Sequence, residues 1–262
     1  MRIKEITRFL EGYASLQYQE SYDNCGLIVG NEDVEVKGAL ITLDCTEEVI
    51  DEAIAEDCNL IIAHHPIIFN GLKKLNGSNY IERTVIKAIK NDLAIYAMHT
   101  NLDNVHNGVS AKIAERLGLD NCKVLAPDLH LQNQQVGLGI IGELKESIKM
   151  RKFLIDMKTN MQTNCIRYTA LVKEDVKRVA VCGGSGSVFL KNAKAANADI
   201  FISADFKYHD FFDAENDIVI ADIGHYESEQ FTKDLIYDLL VKKFTKFAVL
   251  LSKVNTNPIK YL

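Results

Sequence analysis

The 262-residue sequence contains no tryptophan and only three prolines, and it has no excess of basic residues. No uninterrupted apolar run approaches the roughly 20 residues that a membrane-spanning helix needs. Lysine and arginine total 30 against 36 aspartates and glutamates, a net charge of -6, whereas a nucleic-acid partner favours a basic face. The N-terminal segment lacks the apolar core and the small-residue cleavage site of a signal peptide. These absences argue against a membrane protein and a nucleic-acid partner, and they predict a cytoplasmic protein.

The six cysteines are scattered along the chain and form no C-x-x-C pair. A disulfide framework or a thiolate zinc site would space them differently. We therefore interpret them as small buried hydrophobes in a reducing compartment. Cys45 and Cys182 lie near predicted strand ends, but no neighbouring residue marks either one as a nucleophile.

Strand-like and helix-like segments alternate along the chain, which is the pattern of α/β proteins. An apolar run at 38–43 is followed by a helical pattern at 46–57 and by a second apolar run at 60–63. Near the C-terminus the pattern predicts one long helix at 226–243 and a strand at 247–252. Periodicity leaves the direction of that last strand open.

A polar stretch at 120–137, with Pro127 and three glutamines, is the predicted linker. It divides the chain into two predicted domains. The first contains residues 1–126 and 223–262 and is expected to carry most of the candidate ligands described below, and the second contains residues 127–222.

The two halves of the sequence resemble one another at a spacing of 140 residues. At this spacing VKGALIT (36–42) lies on VKRVAVC (176–182), and NLIIAHH (59–65) lies on DIFISAD (199–205). Each pair of segments encloses a strand, a helix and a second strand of equal length. We therefore predict an α/β fold of two related half-domains, with a metal site in the cleft between them.

His64 and His65 follow the apolar run at 60–63, so they lie at the carboxyl end of a predicted strand. Open α/β sheets place their ligands at this edge. Neighbouring side chains on a regular strand point to opposite faces, but at a strand end, with Pro66 fixing the exit, both imidazoles can face one cleft. The alternative is that one histidine belongs to a hydrogen-bond network and the other is exposed.

His99 and Asp103 leave the next predicted strand at the same edge, in the segment HTNLD. Imidazole and carboxylate together suit zinc, iron, manganese or nickel. The alternative is a loop in which Asp103 or Asn104 caps the following helix.

His225 and Glu229 lie in the segment HYESE, where a helix would place them one above the other on one face. A carboxylate can bridge two cations and an imidazole cannot, so Glu229 is the natural bridging ligand. The alternative is a helix N-terminus with acidic residues near its positive end.

Several motifs in this order and spacing resemble one known family: YDNCGLIVG at 22–30, AHHPIIF, HTNLD, CGGSG, ISADFKYHD and IGHYESE. The family is that of the GTP cyclohydrolase 1 type 2 homologs, also called NGG-interacting-factor-like proteins, and the resemblance covers essentially the whole chain. It implies a two-domain α/β subunit, a dinuclear divalent-metal site and a toroidal homohexamer. Carried over residue by residue, it places the metal ligands on His64, His65, Asp103, His225 and Glu229, with His99 close to them.

Two neighbouring divalent ions can acidify a water molecule and stabilise an oxyanion during hydrolysis. We therefore expect a metal-dependent hydrolase with two ions per subunit (zinc, iron, manganese or nickel), acting on a small nucleotide-like or phosphorylated substrate. Glu229 and His99 are the predicted catalytic residues, with His99 orienting a ligand or carrying a proton. The family name proposes GTP ring opening, which no residue here identifies. The alternative function is a non-catalytic metal-binding scaffold, such as a metal-trafficking or regulatory ring.

Two further features keep open interpretations. The segment from Gly183 to Ser187 joins a strand to a helix and could present amides to a phosphate, but a tight turn with a serine as N-cap explains it equally well. His209 begins a predicted helix and could face the cleft, although a core or surface histidine is the simpler account.

Overall fold

A computed structural model describes residues 1–128 and 135–262, and in it the chain divides into two units. The first unit comprises Met1–Leu102 and Thr232–Pro258, and the second comprises Asp103–Phe231 and Ile259–Leu262. Each unit contains one sheet and the helices that pack on it. The predicted α/β class is therefore confirmed.

The secondary structure alternates between strands and helices along most of the chain. The strands are β1 (Gly26–Val29), β2 (Gly38–Thr42), β3 (Leu60–Ala63), β4 (Ala94–Ala97), β5 (Leu119–Pro127), β6 (Gly137–Lys149), β7 (Arg167–Tyr168), β8 (Asp175–Ser185), β9 (Ile200–Ala204), β10 (Val219–Asp222) and β11 (Ala248–Leu251). The α-helices are α1 (Ile3–Tyr13), α2 (Glu47–Ala55), α3 (Tyr80–Lys90), α4 (Thr100–Asp103), α5 (Val109–Leu117), α6 (Met150–Asn160), α7 (Leu190–Ala195), α8 (His225–Glu229) and α9 (Thr232–Lys243). Short 3-10 helices occupy Leu16–Tyr18, Ser187–Phe189 and Tyr208–Ala214. Within the described ranges, no helix combines the length and the apolar character that a membrane crossing requires.

The sheet of the first unit has the strand order β1-β4-β3-β2-β11. Strands β2, β3, β4 and β11 run parallel, which fixes the direction that the sequence left open for the last strand, and β1 is antiparallel to β4. β2, β3 and β4 are buried along their whole length, as expected for parallel strands covered on both faces. On one face, Leu40, Ile61 and Ile95 pack against apolar residues of α2 and α3.

The sheet of the second unit has the strand order β5-β6-β8-β9-β10-β7. Its parallel centre consists of β8, β9 and β10, while β5 and β6 extend it antiparallel on one side and β7 does so on the other. Val181, Ile202 and Ala221 lie in a core formed with α5 and α6. Phe201 and Ile220 belong to a second core that includes residues of α7.

The strand register supports the predicted duplication. Ala39 pairs with Leu60 in the first unit, and Val179 pairs with Ile200 in the second. Each residue of the second pair lies 140 positions after its counterpart in the first pair. In each unit the parallel strands continue in the same order, from β3 to β4 and from β9 to β10. An antiparallel strand then closes that side, β1 in the first unit and β7 in the second. The two halves therefore share strand order as well as local sequence.

The bounds of the two units differ from the predicted domain bounds. The predicted first domain runs to residue 126, whereas β5 pairs with β6 and so belongs to the second unit. Residues 120–127 of the predicted 120–137 linker therefore belong to a strand. Residues 129–134 of the same stretch lie outside the described part of the chain. At the other boundary, α8 contacts β8 and belongs to the second unit, although residues from 223 onward are predicted for the first domain.

Two local predictions are wrong. The helix predicted at 226–243 is two helices, because Phe231 is buried in the core of the second unit while α9 belongs to the first. Gly183 and Gly184 continue β8 instead of forming a turn after it. Gly186 occupies the N-cap position of the following 3-10 helix, so the predicted serine N-cap is wrong.

Candidate functional site

Three histidines of the first unit lie together at the carboxyl edge of its sheet. His64 and His65 directly follow β3, and His99 follows the neighbouring parallel strand β4. The ring centroids of His64 and His65 are 4.9 Å apart, and each lies 5.4 Å from the ring centroid of His99. Because parallel strands end at the same edge, residues far apart in the sequence form one imidazole cluster here.

The Nδ1 atoms of His64 and His65 are each held by an oxygen. Nδ1 of His64 lies 2.6 Å from the carbonyl oxygen of Met98, and Nδ1 of His65 lies 2.7 Å from Oδ1 of Asp44. A carbonyl oxygen only accepts, so Nδ1 of His64 carries the proton and its lone pair is on Nε2. The other carboxylate oxygen of Asp44 accepts from the hydroxyl of Thr256 at 2.6 Å, which fixes the carboxylate. Metal-binding histidines typically have their second ring nitrogen held in this way.

His99 is oriented by Asp23, whose side chain is fully buried. Oδ1 of Asp23 lies 2.8 Å from Nδ1 of His99, and Oδ2 accepts from the amide (3.0 Å) and the hydroxyl of Thr100. Burial raises the pKa of Asp23, but the hydrogen bonds from His99 and Thr100 outweigh it and bring the pKa well below its usual value. Asp23 is therefore an anion that fixes the ring of His99.

In the second unit, His225 begins α8 and Glu229 lies one turn further along it. Nε2 of His225 is 3.0 Å from Oε2 of Glu229, so two potential donor atoms converge on one point, as the i, i+4 spacing predicts. Nδ1 of His225 lies 2.7 Å from Oδ2 of Asp205, which follows β9. Burial lowers the pKa of His225, but the charges and hydrogen bonds of Glu229 and Asp205 outweigh it and raise the pKa to about 11. This part of the second unit strongly favours a cation.

Glu229 reaches this position because Gly184, near the end of β8, has no side chain. Gly184 has φ +59°, and a Cβ built on it would lie 2.3 Å from Oε1 of Glu229. The amide of Gly184 donates to the hydroxyl of Ser228 at 2.9 Å, and the amide of Gly183 donates to the hydroxyl of Ser110 at 3.4 Å. These two amides are engaged within the protein, which weakens the phosphate-loop interpretation. Gly184 instead leaves room for the carboxylate of Glu229.

Asp103 brings a second carboxylate to the same region of the second unit. Burial raises the pKa of Cys182, and the negative charges of Asp103 and Glu229 raise it further, so both carboxylates act on this thiol. Burial and the charge of Asp44 likewise raise the pKa of Cys45 to about 12. Both thiols therefore stay protonated, in line with the sequence, which marks neither as a nucleophile.

Asp222 connects the two loops that carry Asp205 and His225. Its side chain is buried and accepts from the amide of Phe206 at 3.1 Å and from the amide of Gly224 at 3.0 Å. Arg167 donates to the same carboxylate and to the carbonyl oxygen of Phe206. The residues next to Asp205 and His225 are thus held by one ion pair.

The oxygen partners of the histidines are the main features that the sequence interpretation did not assign. Asp44 follows β2 as His65 follows β3, so its place at a strand end was the signal that could have identified it. Asp23 precedes β1, the neighbour of β4. His209 is exposed on a 3-10 helix, where its ring contacts those of Tyr208 and Phe212. It is the one candidate for which the surface interpretation is supported.

Comparison with known proteins gives consistent matches over the whole chain. The model of the family described as Duf34/NIF3 (NGG1p interacting factor 3) matches residues 1–258. A Clostridium acetobutylicum protein named GTP cyclohydrolase 1 type 2 homolog is 30% identical over 266 residues, covering 100% of this chain and 99% of the relative. A Clostridium perfringens protein of the same name is 34% identical over 230 residues, 87% of each chain. A crystal structure of a Staphylococcus aureus protein superposes with a TM-score of 0.90 at 30% identity, covering 100% of this chain and 99% of the other.

Proposed function

The chain belongs to the Duf34/NIF3 family, and from this premise we propose that it binds two divalent metal ions and acts as a metal-dependent hydrolase on a small substrate. The proposed metal ligands are His64 and His65 of the first unit with Asp103, His225 and Glu229 of the second. The ions belong to the set of zinc, iron, manganese and nickel, which suit imidazole and carboxylate donors. The substrate is a nucleotide-like or phosphorylated molecule.

One observation carries the proposal. Each of the three proposed histidine ligands has its Nδ1 within 2.6–2.7 Å of an oxygen, from Met98, Asp44 or Asp205. A histidine that merely completes a core needs no such uniform arrangement, whereas a ring fixed through Nδ1 is oriented to offer Nε2 as the metal donor. The raised pKa of His225 supports the same conclusion, because the carboxylates that hold a proton there would also attract a metal cation.

Two divalent ions at these residues would polarise a substrate oxygen and lower the pKa of water. The protein's own side chains would hold the ions, orient the substrate and carry protons. Glu229 would hold the ions as a carboxylate ligand. His99, with Nδ1 fixed by Asp23, is proposed to orient the substrate or to hold a proton on Nε2.

Elemental analysis of the purified protein tests the metal proposal. We expect about two metal ions per chain in the wild type and one or none in His65→Ala, because that substitution removes a donor. His209→Ala is the matched control, since His209 is exposed on another element, and it should keep the wild-type content. Wild-type protein that takes up no divalent metal would overturn the proposal.

Turnover assays test the hydrolase proposal separately. Metal-loaded wild type and Glu229→Ala would be compared on a panel of phosphoesters, nucleotides and amides, with GTP included because the relatives' name refers to it. We expect hydrolysis by the wild type and at least a 100-fold loss in the variant, on the order of the loss of a principal catalytic group. A fully loaded wild type that is inert across the panel would favour the alternative, a metal-binding scaffold or a metal-trafficking or regulatory ring.

The assembly and the cellular location belong to the same proposal. The family resemblance implies a toroidal homohexamer, and the sequence features favour the cytoplasm. Light scattering coupled to size exclusion measures the assembly directly, since six copies of a 29.4 kDa chain differ clearly in mass from a monomer or dimer.

A further inference from the structure

A row of aromatic rings leads from the histidine cluster of the first unit to solvent. The ring of Phe69 contacts that of His99 edge to face, with centroids 6.1 Å apart and planes at 78°. The ring of Tyr22 contacts that of Phe69, again with centroids 6.1 Å apart. Exposure rises along the row, from 0% for His64 to 42% for Phe69 and 62% for Tyr22. Two large rings are therefore kept at the surface beside the proposed reaction centre.

These rings are fixed in place. The side-chain amide of Asn24 donates to the carbonyl oxygen of Ile68 at 2.7 Å, which ties the segment after Tyr22 to the segment before Phe69. Between them, Asp23 accepts from the ring of His99 and from Thr100. The same three residues, Tyr22 to Asn24, thus carry a ring, orient His99 and hold the Phe69 loop. These hydrogen bonds give both loops, and so both rings, defined positions.

We propose that Tyr22 and Phe69 form a stacking surface for a planar aromatic ring of the substrate, with His99 at its inner end. The inference rests on the proposed hydrolase function and narrows its substrate class to ring compounds such as purines and related heterocycles. An aromatic ring gains more from this surface than an aliphatic group does, because flat rings adopt offset or edge-to-face contacts with Phe and Tyr. Base stacking on aromatic side chains is the recurrent form of this recognition.

The absence of tryptophan from the sequence provides a clean reporter. In Tyr22→Trp the only indole would lie in the proposed stacking surface and keep a planar ring there. Tyr80→Trp is the matched control, because Tyr80 starts α3 in the same unit and is 58% exposed. The probe is guanosine 5′-monophosphate, and ribose 5-phosphate, which has the sugar and phosphate without the base, is its counterpart.

We expect guanosine 5′-monophosphate to quench the Tyr22→Trp fluorescence saturably, while ribose 5-phosphate leaves it unchanged. The Tyr80→Trp fluorescence should respond to neither compound. Adding Phe69→Ala to Tyr22→Trp should weaken the apparent affinity about tenfold, the size of one lost stacking contact. Adding Leu72→Ala, which removes an exposed apolar side chain from the same loop, should leave the affinity within about twofold of that of Tyr22→Trp.

Equal responses to the two compounds, or no saturable quenching, would overturn the stacking proposal. So would a Tyr22→Trp signal that changes with protein concentration alone, since that would make the rings a contact between copies of the chain. The titration is run on metal-loaded and on chelator-treated protein. Quenching with no metal uptake would leave the stacking surface standing and remove the metal proposal, and metal uptake without quenching would do the reverse.

Discussion

Nδ1 of His225 lies 2.7 Å from Oδ2 of Asp205. When the two halves of the sequence are aligned at a spacing of 140 residues, Asp205 corresponds to His65. Aligned positions thus provide a proposed ligand in the first half, His65, and the partner of a proposed ligand in the second, Asp205. His65 in turn is held by Asp44, from the end of the preceding parallel strand. The two halves have kept the strand edge as the place for these groups while the roles of individual positions have diverged.

Asp205→Asn tests whether this hydrogen bond serves metal binding. The asparagine amide removes the negative charge that favours a cation at His225. Its nitrogen is a donor, so it cannot accept a hydrogen bond from Nδ1 of His225 if it faces that atom. We expect the affinity for zinc to fall about 10- to 100-fold, the range typical of lost partners of metal ligands. Titration against a competing chromogenic chelator measures it, with Asp213→Asn on an exposed residue as control. Unchanged zinc affinity in Asp205→Asn would assign the contact a purely structural role.

Gly184→Ala separates steric exclusion from backbone strain. A methyl group there would meet Oε1 of Glu229 at 2.3 Å, so the carboxylate must leave its place beside His225. Gly118→Ala is matched for strain, because Gly118 has φ +68° against +59° for Gly184 and nothing lies within 4 Å of its Cβ position.

Both variants should lose about 1–2 kcal/mol of unfolding free energy from the left-handed backbone. Metal content should fall only in Gly184→Ala. Chemical denaturation and elemental analysis on the same preparations decide it, and equal metal content in the two variants would show that Glu229 needs no such clearance.

The fold was largely predictable because its information is local. Apolar runs such as 38–43 and 60–63 mark buried parallel strands, and the helical periodicity between them needs no partner to be recognised. The predictions failed where tertiary pairing decides. The polar residues of β5 form a strand only because β6 lies beside them, and the chain stops being helical at Phe231 because that ring enters a core.

The histidines of the candidate site could be predicted because their residue types and strand-end positions are visible in the sequence. Their partners could not, since nothing local connects Asp23 with His99 across 76 residues or His64 with the carbonyl oxygen of Met98. The importance of Gly184 was hidden for the same reason. The lack of a side chain at Gly184 matters only because the carboxylate of Glu229 packs against it in the folded protein.

A pH dependence of stability follows from Asp199. Burial raises the pKa of its carboxyl, but the amides of Arg178 and Lys177 and the ammonium of Lys173 outweigh it and leave the pKa below the usual value. A carboxyl whose pKa is lower when folded stabilises the protein above its unfolded pKa, about 3.9, and loses that contribution as the pH falls through the folded value.

Asp199→Asn should therefore lower the unfolding free energy by a constant amount between pH 7 and 5 and by a shrinking amount below about pH 4. Urea denaturation of both proteins across this range measures the difference. Asp213→Asn serves as the exposed control, with no change expected. A difference between wild type and Asp199→Asn that is independent of pH would mean that the carboxyl gains nothing from its charge.

Removing metal should destabilise the protein. A ligand that binds only the folded state adds RT ln(1 + [L]/Kd), about 4 kcal/mol at a thousandfold excess over Kd, so a chelator should lower the wild-type Tm by several degrees. His65→Ala should show less than half of this shift, because one proposed donor is gone. His209→Ala should show the full shift, since its exposed imidazole lies outside the proposed ligand set. Differential scanning fluorimetry with added zinc, and then with chelator, measures all three proteins, and a wild-type Tm that responds to neither would contradict the metal proposal without reference to any enzymatic activity.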